Sequence, residues 1–229
     1  KTKMFALCFR TGGGVVTLGG VDTSLHVGTP DPTAALTKDE AKILSNRTSD
    51  GGIHWVAMLK PKGWYTVRLL DVLMRSPTEN GATLGEARSI GGDKNRYSTG
   101  KGTIVDSGTT DTYLPSALRQ QFASLFRTIT GKDYSNRQMF LTKDQFRRMP
   151  VIVFRLMAVG GGVGATVDLE VKPSSYMEFH NDGTSLAMGS TGKYTPRIYM
   201  TEGSGAVLGA NAINQHNVIF DPDNMRVGF

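Results

Sequence analysis

The chain reads as a mostly β lobe with a few short helices. Three observations carry that expectation. The 229 residues include 28 Gly, and 39% of them are apolar, as a turn-rich β protein requires. Apolar runs are short, alternate with polar residues and end at Gly or Pro. The longest helical periodicity is confined to residues 116–126. The length fits one large domain or two small ones and is enough to bury a core without covalent staples.

Residues 1–27 read as strand, glycine turn and strand. Residues 28–51 are rich in Pro, Thr, Asp and Lys and read as a surface insertion. A brief helix is expected within it over Thr37–Leu44, with Thr37 as cap and Glu40 at the capping-box position. Residues 53–74 alternate as strands do, with Trp64, Thr66 and Arg68 on one face and Tyr65, Val67 and Leu69 on the other. The polar, Gly-rich stretch 76–101 predicts a hairpin with a mobile tip at 91–101.

Ile104 and Val105 then bury a strand that runs into Asp106. After Pro115, the spacing of Leu118, Phe122 and Leu125/Phe126 predicts a helix with one apolar face, placed to brace the segment before it. A short helix starts near Thr142, and Arg147-Arg148 form an exposed basic face. Val151–Leu156 is a strand, broken by Gly160-Gly161-Gly162. Val167–Val171 alternates cleanly and stops at Pro173. No short repeat or low-complexity tract interrupts this order.

The segment with most chemical content is Gly102-Thr103-Ile104-Val105-Asp106-Ser107-Gly108-Thr109-Thr110. A strand end of this kind presents one carboxylate inside a net of hydroxyl and backbone donors. Gly108 would let another backbone come close. For a bare Asp-Ser-Gly the plainer alternative is an Asp capping a turn; the flanks decide between the two.

Other chemistries find little support. The formal charge is +6, but Lys and Arg are scattered in runs no longer than two, so a nucleic-acid footprint is not expected. His26, His54, His180 and His216 lack ligand spacing, and no metal site is expected. No Gly-x-Ser-x-Gly elbow occurs, and the Gly runs lack a following Lys-Ser/Thr. No stretch approaches the roughly 18 apolar residues of a membrane span. A leader is not expected at Lys1, and an anchor beyond Phe229 remains open. Cys8 is the single cysteine, either a buried free thiol or a partner for a thiol outside the chain. Asn46-Arg47-Thr48 fits an N-glycosylation acceptor.

The segment GTIVDSGTTDTYLP and the apolar helix after it resemble the second active-site motif of the pepsin-like aspartic proteases. Phe5–Phe9, a Gly run and Val16-Thr17-Leu18-Gly19-Gly20-Val21-Asp22 resemble the strand and turn that precede that family's second lobe. Ile53–Val56 and Gly63–Val67 resemble its next strands, and Ala206–Ala210 and Val218–Phe229 its last ones. The likeness runs in order over nearly the whole chain. It implies a closed or sandwiched, barrel-like β lobe with short helices. Residues 1–22 would be strands linking to an amino-terminal lobe, and 23–229 the carboxy-terminal catalytic lobe, with its insertion at about 28–51.

What the resemblance implies for function is an aspartic endopeptidase. One of two Asp carboxylates activates a water while its protonated partner polarises the scissile carbonyl, without metal, cofactor or covalent intermediate. Asp106 would be one member, with Ser107, Gly108 and Thr109 as its loop. Thr110, Ile104, Trp64, Val207 and Ile213 would be substrate-binding residues. Leu208-Gly209 would pass beside the Asp loop, where a side chain would clash. No second apolar-apolar-Asp-Ser/Thr-Gly exists in the chain, so an amino-terminal lobe is expected to supply the other Asp. The family's second lobe usually carries a disulfide, which a single cysteine cannot form. Expected partners are protein or peptide substrates, in the secretory pathway, a vacuolar or lysosomal compartment, or outside the cell. The alternatives are a non-catalytic pepsin-like receptor or inhibitor, and a single-lobe protease completed by homodimerisation.

Overall fold

The computed structural model describes residues 2–10, 13–22, 52–59, 63–77, 84–160, 164–180 and 191–229. The expected insertion at 28–51, its helix and Asn46 lie outside the described residues, as do Gly161 and Gly162.

The expected strand–turn–strand at the start is an antiparallel hairpin, β1 (Phe5–Arg10) and β2 (Gly13–Leu18). It joins β3 (Trp55–Ala57), β16 (Asn217–Asp221) and β17 (Arg226–Gly228) in a sheet of order β2-β1-β16-β17-β3. Successive side chains of β1 go to opposite sides, as the two-residue period demands. Phe5, Leu7 and Phe9 pack on the main core, while Ala6 joins Ile53 and Ile219 in a small second cluster. Phe5 stacks on Phe220 across the ladder, with centroids 4.8 Å apart. Cys8, also on β1, is a buried free thiol. β2 is the edge strand, and Val15, Val16 and Leu18 on it are exposed.

A second sheet has the order β11-β10-β5-β6, all antiparallel. Its members are β5 (Leu69–Pro77), β6 (Leu84–Ser89), β10 (Val151–Met157) and β11 (Thr166–Val171). The third sheet is β12-β13-β9, from β9 (Met139–Thr142), β12 (Met177–His180) and β13 (Thr191–Pro196). The fourth comprises β4 (Thr66–Val67), β7 (Thr103–Val105), β8 (Thr112–Pro115), β14 (Ile198–Glu202) and β15 (Ala206–Leu208), in the order β14-β8-β15-β7-β4.

The mostly β character and the short helices follow the expectation, but the closed, barrel-like shape does not. Among the described residues the strands form four sheets with no barrel closure, each ending on edge strands, and all share one apolar core. The even alternation expected over 53–74 is also broken. β4 lies beside β7 in one sheet, paired to Ile104 and Thr103, and Thr66 is buried although Trp64 and Arg68 on its nominal face are exposed.

The helix expected after Pro115 is α1 (Arg119–Thr130), preceded by a 3-10 turn at Ser116–Leu118. Phe122, Leu125 and Phe126 are its buried face. It runs four residues past the periodic segment and stops where Gly131 adopts φ 69°, its N–H donating to the Arg127 carbonyl. Tyr134 sets its ring edge-on against Phe122 and Phe126 and donates its hydroxyl to the Ile198 carbonyl at 2.8 Å, which ties the helix to β14. The start near Thr142 is α2 (Lys143–Arg147), with a reciprocal capping box between Thr142 and Gln145. Two further short helices are α3 (Pro173–Tyr176) and α4 (Ala210–Ile213).

The hairpin expected in 76–101 is β5–β6, paired from Leu73 and Ser89 out to Pro77 and Leu84. Residues 91–101 come after the paired strands of the hairpin, and most of them are exposed, with Tyr97 the buried exception. A 3-10 turn at Lys94–Tyr97 drives Tyr97 fully into the core, and the Lys94 ammonium meets the buried Asp71 carboxylate at 2.6 Å. Polar composition hid one large aromatic anchor.

Candidate active site

The fourth sheet builds the site. β7 runs parallel to β15, and β15 lies antiparallel to β8, so β15 is inserted between the two strands that flank the Asp106 loop. Thr103, Ile104 and Val105 are all buried, because β15 covers one edge of β7 and β4 the other. Asp106 sits where the strand ends and the chain must turn. Its N–H donates to the Leu208 carbonyl at 3.0 Å, which places the loop beside 206–210 as expected.

The carboxylate is held by its own loop. The Gly108 N–H donates to Oδ1 at 3.0 Å, and the Thr109 hydroxyl donates to Oδ2 at 2.7 Å. The Thr109 N–H closes the turn on the Asp106 carbonyl at 3.3 Å. With one donor on each oxygen, the carboxylate plane is fixed and each oxygen keeps a lone pair; the group is half-buried, while Ser107, Gly108 and Thr110 around it are exposed. A carboxylate oriented in this way can bind and deprotonate a water, given a second acid near it.

Of the two close backbone approaches expected, at Gly108 and at Gly209, the structure has the one at Gly209. A Cβ on Gly108 would meet only the Asp106 Oδ1, at 3.3 Å, so this residue serves as an amide donor. A Cβ on Gly209 would lie 2.6 Å from the Thr109 carbonyl oxygen and closer still to that of Asp111. Only a residue without a side chain fits there.

The five expected substrate-binding positions fall into two groups. Trp64 is 62% exposed and lies one residue before Tyr65, whose carbonyl accepts from the Val105 N–H at 2.9 Å; Thr110 is exposed on the loop itself. Ile104 and Val207 are opposite each other in parallel register, 4% and 5% exposed, and Ile213 is fully buried. Ile104 and Val207 are shielded within the fourth sheet, where β7 and β15 pair, and Ile213, at the end of α4, packs into the main core.

Other residues around the loop were not singled out in the sequence. Asn211 bonds the Thr112 hydroxyl and the Arg197 carbonyl. Arg197 lies 3.8 Å from the Asp111 carboxylate and forms an ion pair with Glu178 and a hydrogen bond to the Tyr199 hydroxyl. Burial pushes the Asp111 carboxyl above its ordinary range; the Arg197 guanidinium pulls against the rise and Glu178 adds to it. The only local signal was the acidic residue at the exit of the motif.

Two concave surfaces lie elsewhere, at α1. One, of about 420 Å³, includes Arg88, Ser89, Gln121 and Ser124; the other, of about 310 Å³, includes Thr130, Lys132 and Arg148. Neither is lined by the Asp106 loop. Among the described residues no helix is long and apolar enough to cross a membrane, and no three His, Cys, Asp or Glu side chains cluster as metal ligands.

A family model described as eukaryotic aspartyl protease matches residues 43–229. No curated protein matches the chain.

Proposed function

Because this chain belongs to the eukaryotic aspartyl protease family, we propose that it is the carboxy-terminal lobe of an aspartic endopeptidase, with Asp106 as one half of the catalytic pair. One observation carries the reading. Asp106 ends a buried strand with each carboxylate oxygen held by one loop donor, and the loop is pinned by a strand inserted from 100 residues later. Such effort to orient one carboxylate at an exposed turn suits a group that reacts.

The chemistry needs a second carboxylate. Two carboxylates at contact distance cannot both ionise and so share one proton, a behaviour for which aspartic proteases are a standard instance. The ionised member takes a proton from water as the water attacks the peptide carbonyl; the protonated member donates to the carbonyl oxygen. The proton then reaches the leaving amine. The second Asp comes from an amino-terminal lobe, and the open edge of β2 with exposed Val15, Val16 and Leu18 offers that lobe a seat. Trp64 and Thr110 line the substrate side. The 229 residues alone are then inactive. An acidic or mildly acidic compartment of the secretory pathway suits the shared proton, and Asn46-Arg47-Thr48 is compatible with passage there.

The test is Asp106→Asn in the complete two-lobed protein, assayed on a mixed peptide library at pH values from acidic to neutral. The amide is nearly isosteric but cannot accept the water's proton. Turnover is expected to fall by about three orders of magnitude or more, as for other groups that act as a unit. A statine-type inhibitor should block the wild type. Retained turnover in the variant removes Asp106 from the mechanism; a folded wild type that binds peptides without cleaving them favours the non-catalytic receptor or inhibitor instead.

A further inference from the structure

We propose that Asn211 is a positioning residue for Asp106, acting through the backbone of the active-site loop; this rests on the reading of Asp106 as half of the catalytic pair.

Among the described residues the Asp106 carboxylate is held by Gly108 and Thr109 of its own loop, so its direction depends on where the Thr109 backbone lies. That position is set from α4. The Ala210 N–H donates to the Thr109 carbonyl at 2.7 Å, and the Asn211 N–H donates to the Thr110 carbonyl at 3.0 Å. These are free first-turn donors of a helix, and the loop's carbonyls satisfy them. Two backbone bonds alone would let α4 and the loop slide together.

The Asn211 side chain removes that freedom. Its Oδ1 accepts from the Thr112 hydroxyl at 2.6 Å, and its Nδ2 donates to the Arg197 carbonyl at 2.8 Å. The Arg197 carbonyl can only accept, so the amide orientation is decided by chemistry. Arg197 also takes the Thr112 N–H on that same carbonyl, at 3.3 Å. One side chain thus locks the loop exit at Thr112, the entry to β14 at Arg197, and α4 into a single frame. Thr112 is 1% exposed, so its hydroxyl has no water to replace a lost partner. An amide alone provides one acceptor and one donor at the same end. Asp would set a second acceptor against the Arg197 carbonyl, and Leu would offer neither.

The perturbation expected is a small rotation of the loop that leaves the peptide-binding surface in place. It should therefore appear in the chemical step rather than in binding. In the complete two-lobed protein, Asn211→Leu is expected to lower kcat by about 10- to 100-fold, the scale of an ångström-level misplacement, with KM within about two-fold of wild type. Because the shared proton depends on the separation of the two carboxylates, the acid limb of the kcat/KM profile should also shift. Thr112→Val deletes the partner hydroxyl at constant shape and should move both quantities the same way, and Thr112→Ser should restore them. The double variant Asn211→Leu/Thr112→Val should be no slower than the worse single one. Thr112→Val keeps the proposal testable should Asn211→Leu fail to fold. An unchanged kcat and acid limb in Thr112→Val, or a rise in KM that accounts for the whole loss in either variant, overturns the role of Asn211. Asp106→Asn is run alongside. If it retains turnover, both readings fall; if it is inactive while the Asn211 and Thr112 variants match wild type, only this one does.

Discussion

Gly209→Ala should cost stability and activity together, for a reason that can be worked from distances. The added Cβ would lie 2.6 Å from the Thr109 carbonyl oxygen and closer still to that of Asp111. Real Cβ contacts below 3.0 Å essentially do not occur, so the Thr109 carbonyl must retreat by about 0.4 Å at least and the Asp111 carbonyl by more. Both obstacles are backbone, so no rotamer change relieves them. The Gly209 φ of −80° suits Ala, so the cost is steric and not conformational. Ala also restricts the unfolded chain, which favours folding by about 0.4–1 kcal/mol. Overpacking costs about 1–3 kcal/mol, and two backbone carbonyls in the way place this case at the upper end, so the net effect is a loss of about 2 kcal/mol. With a slope of about 2–3 kcal/mol per molar urea, the midpoint should fall by roughly 0.7–1 M. The matched control is Gly203→Ala, where nothing lies within 4 Å of the new methyl, and the midpoint should hold or rise slightly. In the complete protein kcat should fall as well, since the Thr109 hydroxyl that orients Asp106 moves with its backbone. Equal midpoints for Gly209→Ala and wild type would refute the argument that the loop and β15 are packed backbone to backbone.

Two further outcomes follow from charges away from the site. Burial holds His216 below its ordinary value of 6.5, with Lys172 adding to that and the Glu170 carbonyl, at 3.1 Å, opposing it. The unfolded chain therefore takes up a proton first as pH falls through about 6.5, and stability drops until the folded value is passed. His216→Gln keeps a donor for Glu170 but cannot titrate, so its urea midpoint should change less between about pH 7 and pH 5; parallel curves would refute this. At Asp221, burial opposes ionisation, but Arg226 and Asn224 outweigh it and hold the carboxyl below its ordinary 3.8. Its stabilisation is thus complete above 3.8 and lost as pH falls through the folded value. Arg226→Leu leaves this buried carboxylate without its countercharge, held by Asn224, and removes a guanidinium 3.8 Å above the Trp55 ring. A loss of about 2–3 kcal/mol is expected at neutral pH, closing toward pH 3 and below; a pH-independent gap in denaturant melts would mean packing, not charge, sets the cost.

Much of the site was legible because its first layer is local. The two donors on Asp106 come from residues two and three positions later, so the order Asp-Ser-Gly-Thr already contains that geometry. The period of two placed β11, and the spacing of Phe122, Leu125 and Phe126 placed α1, because each pattern describes an element that buries one face; β1 and β10 were legible as short apolar runs. What lies beyond one element was not legible. Residues 91–101 looked like a tip because composition averages over a segment, whereas one buried Tyr97 decides where the segment goes. That Ile104, Val207 and Ile213 are buried was not legible either, because burial depends on which strands and helices pack around them. Asn211 and Thr112 are 99 residues apart and meet only because β15 threads between β7 and β8. By itself, then, the sequence determined the carboxylate at the strand end, Asp106, and its immediate hydrogen bonds, since these are set by bond geometry over a few residues. The tertiary structure decided which residues brace that loop and which are shielded beneath it, since those depend on long-range pairings that no local pattern encodes.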